Sequence, residues 1–329
     1  MIRRSLSLGL LALIASGLCA PVRAAPAVLN FSVVSGEGMQ MDMQGWTPFL
    51  NEMSAALGVP VKPFFSSNYS GIIEAMRFRQ TDAGWFTNQS GLEAVRRSNA
   101  EVFAQATRPT GPSGYQAVII VRKGSGITLD RILKCDRTLD FGIGDPKSTS
   151  GTLAPKAYLF TPRGLDPAKC FKTLRSANHE ANLVAVAAGV LDAATNNTGS
   201  LARVADVGSP AAKQAVARVQ QIWRSPTIPD NPILWRKDLD PAMKARLRRF
   251  LLSYGVGKTP EAARQRAVLA RIQTGPFIAA NNTHLLPVRE MEASEALSAA
   301  RNTGDRAAIA RAQATVAGLR RERAALPKG

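Results

Sequence analysis

Gly144-Asp145-Pro146-Lys147-Ser148-Thr149-Ser150-Gly151 sets three consecutive hydroxyls inside a turn bounded by glycine. A strand-like segment (residues 138–143) precedes it and a helix-like one (residues 153–160) follows. Such a turn aims hydroxyls and backbone N–H groups at one point, on the positive end of a helix dipole. Nothing in it is suited to filling a core, and its carboxylate, Asp145, comes before the hydroxyls. The chemistry this implies is an anion cradle. A plain Ser/Thr helix N-cap is the alternative, and such caps are common at helix starts.

Other residues could complete the same shell. Tyr69-Ser70-Gly71-Ile72-Ile73 opens a helix in the way the Ser148 turn does; an ordinary helix start is the alternative. Trp85-Phe86, followed by Asn88, would place aromatic rings at a strand end, where α/β sheets bind ligands; core packing is the competing reading. Tyr115 could supply a phenolic donor. His179 precedes an apolar helix-like run (residues 183–190) and could donate to an oxyanion, or be structural. The run at 192–198, with Asn196, Asn197 and Thr198, suits a cleft wall or a polar turn. His284 has no evident partner.

Enzymatic chemistry finds little support. Ser148 lacks the G-x-S-x-G elbow that exposes a hydrolase nucleophile. Two scattered histidines and few cysteines do not make a zinc site, so no metal or cofactor is expected. Gly255-Val256-Gly257-Lys258-Thr259 mimics a phosphate loop, but Leu252 stands where that motif needs glycine. It reads as a helix end and turn.

The elements that must position these residues alternate, as in an α/β protein. Strands are expected at 28–34, 61–65, 83–86, 102–107 and 118–121. Helices are expected at 47–57, 71–78, 241–254 and 260–272. A proline-rich stretch at 225–232 suggests a crossing between lobes, and another lies near Tyr115. Two crossings between two α/β lobes make a hinge with a ligand cleft. The expected division is residues 25–115 with 232–290 as lobe 1, residues 116–231 as lobe 2, and residues 291–329 as a C-terminal helical extension. Within that extension, residues 294–325 read as one long surface helix.

Arg3 and Arg4, an apolar run at 6–18 and Val22-Arg23-Ala24 read as a cleavable export signal over residues 1–24. Cys19 suggests a lipoprotein, but Leu18 sits where a lipobox needs a small residue. An exported protein without stable membrane insertion is expected. Cys135 and Cys170 then remain, an even count consistent with a disulfide in an oxidising compartment. The formal net charge is +18, and it favours anionic partners. Export and an aromatic content of 6% argue against nucleic acid.

Taken in order, several motifs resemble the periplasmic substrate-binding proteins of phosphonate ABC transporters (PhnD type). They are Trp46-Thr47-Pro48-Phe49-Leu50, Tyr69 to Ile73 with Ala75-Met76-Arg77-Phe78, the Gly144–Gly151 turn, and His179-Glu180. Ala194-Thr195-Asn196-Asn197-Thr198, Trp223-Arg224-Ser225-Pro226, Ile228-Pro229, Trp235-Arg236-Lys237 and Leu286-Pro287-Val288-Arg289 continue the series. The resemblance spans residues 29–289. It implies a two-lobed type II periplasmic-binding-protein fold, hinged on two crossing segments, with a ligand cleft between the lobes. The implied function is a periplasmic receptor that captures a phosphonate and delivers it to the permease subunits of an inner-membrane ABC transporter. By motif position, Ser148, Thr149 and Ser150 would bind the phosphonate oxygens, and Tyr69, Tyr115 and His179 would complete the shell. A receptor for phosphite, phosphate or another oxyanion is the alternative, and an exported phosphoester or phosphonate hydrolase a further one. The C-terminal helix leaves room for a homodimer.

One departure from the family carries chemical meaning. Relatives that take aminoalkylphosphonates tend to carry acids where this chain has Gly199 and Asn231, with Asp230 one residue away. Phe86 also stands where relatives can have tyrosine. The expectation is a phosphonate without a cationic amine, or one whose amine is read weakly.

Overall fold

The computed structural model describes residues 28–109 and 114–325. The expected export signal, Cys19 included, lies outside the described residues. Among the described residues eleven strands, β1 (Leu29–Val34), β2 (Val61–Ser66), β3 (Ala83–Trp85), β4 (Ala100–Gln105), β5 (Ala117–Arg122), β6 (Asp140–Ile143), β7 (Thr173–Ser176), β8 (Ala193–Asn197), β9 (Val219–Arg224), β10 (Pro232–Arg236) and β11 (Ile278–Ala279), form two sheets. The first runs β2-β1-β3-β10-β4-β11 and the second β7-β6-β8-β5-β9. Parallel β1, β2 and β3 meet an antiparallel β10 in the first sheet. Parallel β6, β7 and β8 meet an antiparallel β5 in the second. β10 and β5 are the strands delivered by the crossings, so the chain enters each sheet against the grain; the short β11 also runs antiparallel, to β4.

The crossings pair with each other. Tyr115 and Ile228 exchange backbone hydrogen bonds of 2.9 and 2.7 Å, and Ala106 N–H donates to the Asn231 carbonyl at 2.9 Å. Helices cover the sheets for the expected reason, an apolar face at 3.6-residue spacing. Trp46, Phe49, Leu50, Met53 and Leu57 line one such face and join β1 in the core of the first sheet. The second sheet has a core on each face.

Three elements differ from the sequence-based expectation. The helix expected at 47–57 begins eight residues earlier, at Met39. Pro48 interrupts the ladder at the Gln44 carbonyl, which lies on the exposed face where water can take it. The helical run after the Ser148 turn has π-helical turns at Thr149–Leu153 and Lys156–Phe160. Pro155 is the cause: it has no N–H for the Gly151 carbonyl, which accepts from Gly144 N–H and Thr195 Oγ1 instead. The single long C-terminal helix is a hairpin, Leu286–Thr303 and Arg306–Ala324. Gly304 (φ +71°) ends the first helix in a left-handed cap and Asp305 caps the second. The first of these helices does not begin a separate extension. Val288 and Met291 share a core cluster with Ile72 near β1 and with Leu153 and Ala157 beyond the crossings.

Cys135 and Cys170 are joined, 35 residues apart in sequence, beside the core of the second sheet. Gly255 (φ +76°) follows the helix Pro241–Ser253 as a turn, in keeping with its reading as a helix end.

Candidate ligand-binding cleft

A cavity of about 80 Å³ lies between the two sheets, at the carboxyl ends of their parallel strands and against the crossings. Residues that follow β1 and β3 line one wall, Ser150, His179 and Asn197 line the other, and Tyr115, Asp230 and Asn231 come from the crossings.

The hydroxyl turn divides its labour. Ser148 Oγ accepts from Gly151 N–H (3.0 Å) and so caps the helix. Its side chain faces an adjoining recess with Asp145 and Asn178. Thr149 Oγ1 accepts from Gln89 N–H (2.8 Å), a bond between the two walls. Ser150 alone of the three lines the central cavity, with its Oγ 3.4 Å from His179 Nε2. Among the described residues, Thr149 N–H and Ser150 N–H meet no acceptor; these are the orphan donors of a helix start.

His179 opens the helix His179–Ala187, and its own N–H donates to the Gly36 carbonyl across the cleft (2.9 Å). Asn196 Nδ2 holds the His179 carbonyl at 2.8 Å while Thr195, one residue earlier on β8, holds Gly151. The polar end of β8 therefore pins both halves of the shell. Burial pushes the His179 imidazole below its ordinary range, against the pull of Glu37, and its Nδ1 has no partner among the described residues.

Tyr69 sits at the first position of the helix Tyr69–Arg77, after the Asn68 cap. Burial drives its phenol well above the usual range, with Glu37 and Asp145 adding to the effect. Burial also raises Tyr115, to about 12, although the Arg108 charge opposes the rise. Both phenols keep their protons at neutral pH and can donate. Tyr69, Tyr115, Ser150 and His179 thus stand around one cavity.

At the other end lie Arg108, Gly199, Asp230 and Asn231. Arg108 Nε and Asp230 Oδ1 are 2.6 Å apart, an ion pair whose N–H is poorly aimed at the oxygen. Asp230 Oδ2 accepts from Gly114 N–H at 2.7 Å. Arg108 also lies over the Tyr115 ring, 5.3 Å from its centroid. Asn197 caps the helix Thr198–Val207 through Ser200 N–H.

The remaining expected residues separate. Trp85 lines the cavity, its ring edge-on to Trp46 at 5.0 Å. Phe86 does not: it is fully buried in the core with Ile72 and Leu92, so the packing alternative holds there. His284 gains a partner, since its Nε2–H donates to the Asp230 carbonyl at 2.8 Å.

Arg203, Glu37 and Asp42 also reach the cavity, and sequence reasoning missed them, as it missed Arg108. Arg203 Nη1 bonds Glu37 Oε2 (2.9 Å) and Asp42 Oδ1, and Nη2 bonds the Met41 carbonyl. This arginine ties the helix after β8 to the segment after β1. Burial and the Glu37 charge push the Asp42 carboxyl up, to about 7, against the pull of Arg203. Among the described residues no cluster of His, Cys, Asp or Glu is placed to hold a metal ion, and no helix is long and apolar enough to cross a membrane.

Comparison with known proteins gives this geometry a context. The profile of a family described as ABC transporter, phosphonate, periplasmic substrate-binding protein matches residues 31–285. The chain is 42% identical over 264 residues to the phosphonates-binding periplasmic protein of Escherichia coli (strain K12), covering 80% of this chain and 75% of that one. It is 29% identical over 192 residues to a probable ABC transporter phosphite binding protein of Prochlorococcus marinus (strain MIT 9301), 56% of this chain and 63% of the other. Its fold matches a crystal structure of a binding protein component of an ABC phosphonate transporter from Pseudomonas aeruginosa with a TM-score of 0.85 and 36% identity. That match covers 91% of this chain and 99% of the other.

Proposed function

The chain belongs to the family of periplasmic substrate-binding proteins of phosphonate ABC transporters, and from that premise we propose that it closes over a phosphonate held by Ser150, His179, Tyr69 and Tyr115. The carrying observation is a set of donors around one cavity whose carboxylates, Glu37, Asp42 and Asp230, are each already paired with an arginine. A phosphonate offers acceptor oxygens and negative charge, which matches hydroxyl, phenol and imidazole donors and the N–H groups of Thr149 and Ser150. Charge-assisted bonds of this kind contribute roughly 1.5–3 kcal/mol each. Four or more support tight binding after the cost of association.

Ser148 contributes by capping the helix whose dipole faces the ligand, and Thr149 by bonding Gln89 across the cleft. The paired crossings serve as the hinge between lobe 1 (25–115 with 232–290) and lobe 2 (116–231). Ligand that touches both walls favours the closed arrangement over the open one. The closed form is then what the permease reads.

The finer assignments follow from the same reading. Residues 1–24 act as the export signal. The receptor performs no hydrolysis: His179 Nδ1 meets no carboxylate among the described residues, so the Ser150–His179 contact lacks the group that orients a catalytic base. Self-association would use the outer C-terminal helix, where Val316 and Leu319 are the buried residues and most of the rest is exposed, alanine and arginine above all. A small interface of that sort makes a weak dimer.

A smaller oxyanion is the second reading, favoured by the phosphite-binding relative. A thermal-unfolding panel with methylphosphonate, phosphite, phosphate and sulfate separates the two. A ligand at about 1,000 times its dissociation constant stabilises by roughly 4 kcal/mol, several degrees in midpoint. A shift with methylphosphonate and none with sulfate is expected. A shift confined to phosphite or phosphate would favour the second reading, and no shift with any of them would sink both.

A further inference from the structure

The cavity has a second end whose chemistry the phosphonate seat does not use. Gly199 lies there in a helix, and a Cβ on it would fall 2.8 Å from Arg108 Nη1 and 3.4 Å from Nη2. The guanidinium fills the volume that a side chain at position 199 would need. Asp230 meets Arg108 at Nε, and the Tyr115 ring lies beneath the guanidinium. That leaves the two Nη atoms on the side of Gly199 and the cavity. Among the described residues, Asp230 is the only polar partner of Arg108.

The acids that could hold an ammonium group are committed elsewhere. Asp230 faces Arg108 through Oδ1 and Gly114 N–H through Oδ2. Asn231 is neutral. Glu37 and Asp42 are both engaged by Arg203.

We propose that Arg108 reads the tail of the ligand, and that this site takes a phosphonate whose short tail ends in a carboxylate. The assignment rests on the phosphonate reading above. A planar fork of N–H donors matches a carboxylate in two parallel hydrogen bonds. The same charge repels an ammonium tail. The basic surface of the chain favours the approach of a doubly anionic solute.

Titration calorimetry of the wild-type protein with methylphosphonate, phosphonoacetate and 2-aminoethylphosphonate tests this directly. Phosphonoacetate should bind at least tenfold tighter than methylphosphonate, and 2-aminoethylphosphonate weakest of the three. The R108Q/D230N variant removes the fork without leaving a lone buried carboxylate. In it the preference for phosphonoacetate over methylphosphonate should fall to within about threefold, because a neutral amide forfeits the charge-assisted pair. The tail assignment is overturned if the wild type prefers 2-aminoethylphosphonate, or if the R108Q/D230N variant keeps the full preference for phosphonoacetate. If none of the three binds, the phosphonate reading fails and takes the tail assignment with it.

Discussion

Gly144 and Gly151 touch backbone to backbone: a Cβ on Gly144 would lie 2.6 Å from Gly151 Cα, and one on Gly151 would lie 2.8 Å from Gly144 Cα. Gly144 N–H donates to the Gly151 carbonyl at 3.0 Å. The two glycines close the turn that presents Ser150, and Pro155 frees the carbonyl that locks it. Neither glycine can be enlarged without moving main chain. G144A should therefore cost about 1–3 kcal/mol of stability and weaken ligand binding with it. Urea unfolding and calorimetry check the pair of effects; a stable variant with full affinity would contradict the role given to this contact.

The donors themselves differ from their neighbours in what their removal should do. S150A and Y69F each delete a group at the cavity and should weaken phosphonate binding by roughly 1.5–3 kcal/mol, with stability little changed. S148A deletes a helix cap and should cost about 1 kcal/mol of stability. Measuring both quantities for all three variants separates ligand contact from capping. Equal losses of affinity in S148A and S150A would argue that Ser148 touches the ligand as well.

Arg203 ties the two walls without regard to what the ligand carries. R203Q should weaken every phosphonate by a similar factor and leave their ranking intact, in contrast to changes at Arg108. Small-angle scattering should show a more open average shape in the presence of subsaturating ligand. A changed ranking in R203Q would mean that this arginine meets the ligand.

The histidines give stability a pH dependence of definite sign. Burial lowers His284 from 6.5 to about 4, its bond to the Asp230 carbonyl opposing only in part. Burial lowers His179 as well. The unfolded chain binds protons at these groups near pH 6.5, while the folded chain resists until lower pH. Stability from both is therefore complete above pH 6.5 and lost as pH falls toward about 4 for His284. Asp42 works in the opposite sense, its raised carboxyl favouring the folded state less as pH rises from about 4 to about 7. H284N should flatten the acid limb of the stability profile, by about 3 kcal/mol near pH 4. Parallel profiles for wild type and variant would contradict the buried neutral imidazole.

The Cys135–Cys170 bridge stands away from the cavity and closes a loop across a 35-residue separation. By loop-closure entropy it contributes about 4 kcal/mol. C135S/C170S should lower the unfolding midpoint by several degrees, with phosphonate affinity within a few-fold of wild type. A large affinity loss at unchanged stability would place the bridge in the binding mechanism.

What could be read from the amino-acid order was local. Ser148, Tyr69 and His179 each begin a helix, and short polar residues before an apolar run announce such starts. Apolar periodicity likewise marked the strands expected at 28–34, 61–65, 83–86, 102–107 and 118–121 and the helices expected at 71–78, 241–254 and 260–272, while the helices Asn88–Arg97 and Pro210–Arg218 went unmarked. Arg108 and Asp230 are 122 positions apart and Asp42 and Arg203 are 161 apart, and no local pattern announces pairs that only the crossings bring together. Phe86 shows a different limit: adjacent aromatic residues at a strand end point to opposite sides, and which one meets the cleft depends on what packs beneath. Pro48 lies inside the first helix, and a proline there is tolerated where water reaches the carbonyl it strands.

The most direct measurement is a crystal structure of the protein grown with methylphosphonate. The account predicts one phosphonate group in the central cavity, its oxygens roughly 2.5–3.0 Å from Ser150 Oγ, the Tyr69 and Tyr115 hydroxyls and a ring nitrogen of His179. An unoccupied cavity at saturating ligand, or a phosphonate seated away from those four side chains, would contradict it.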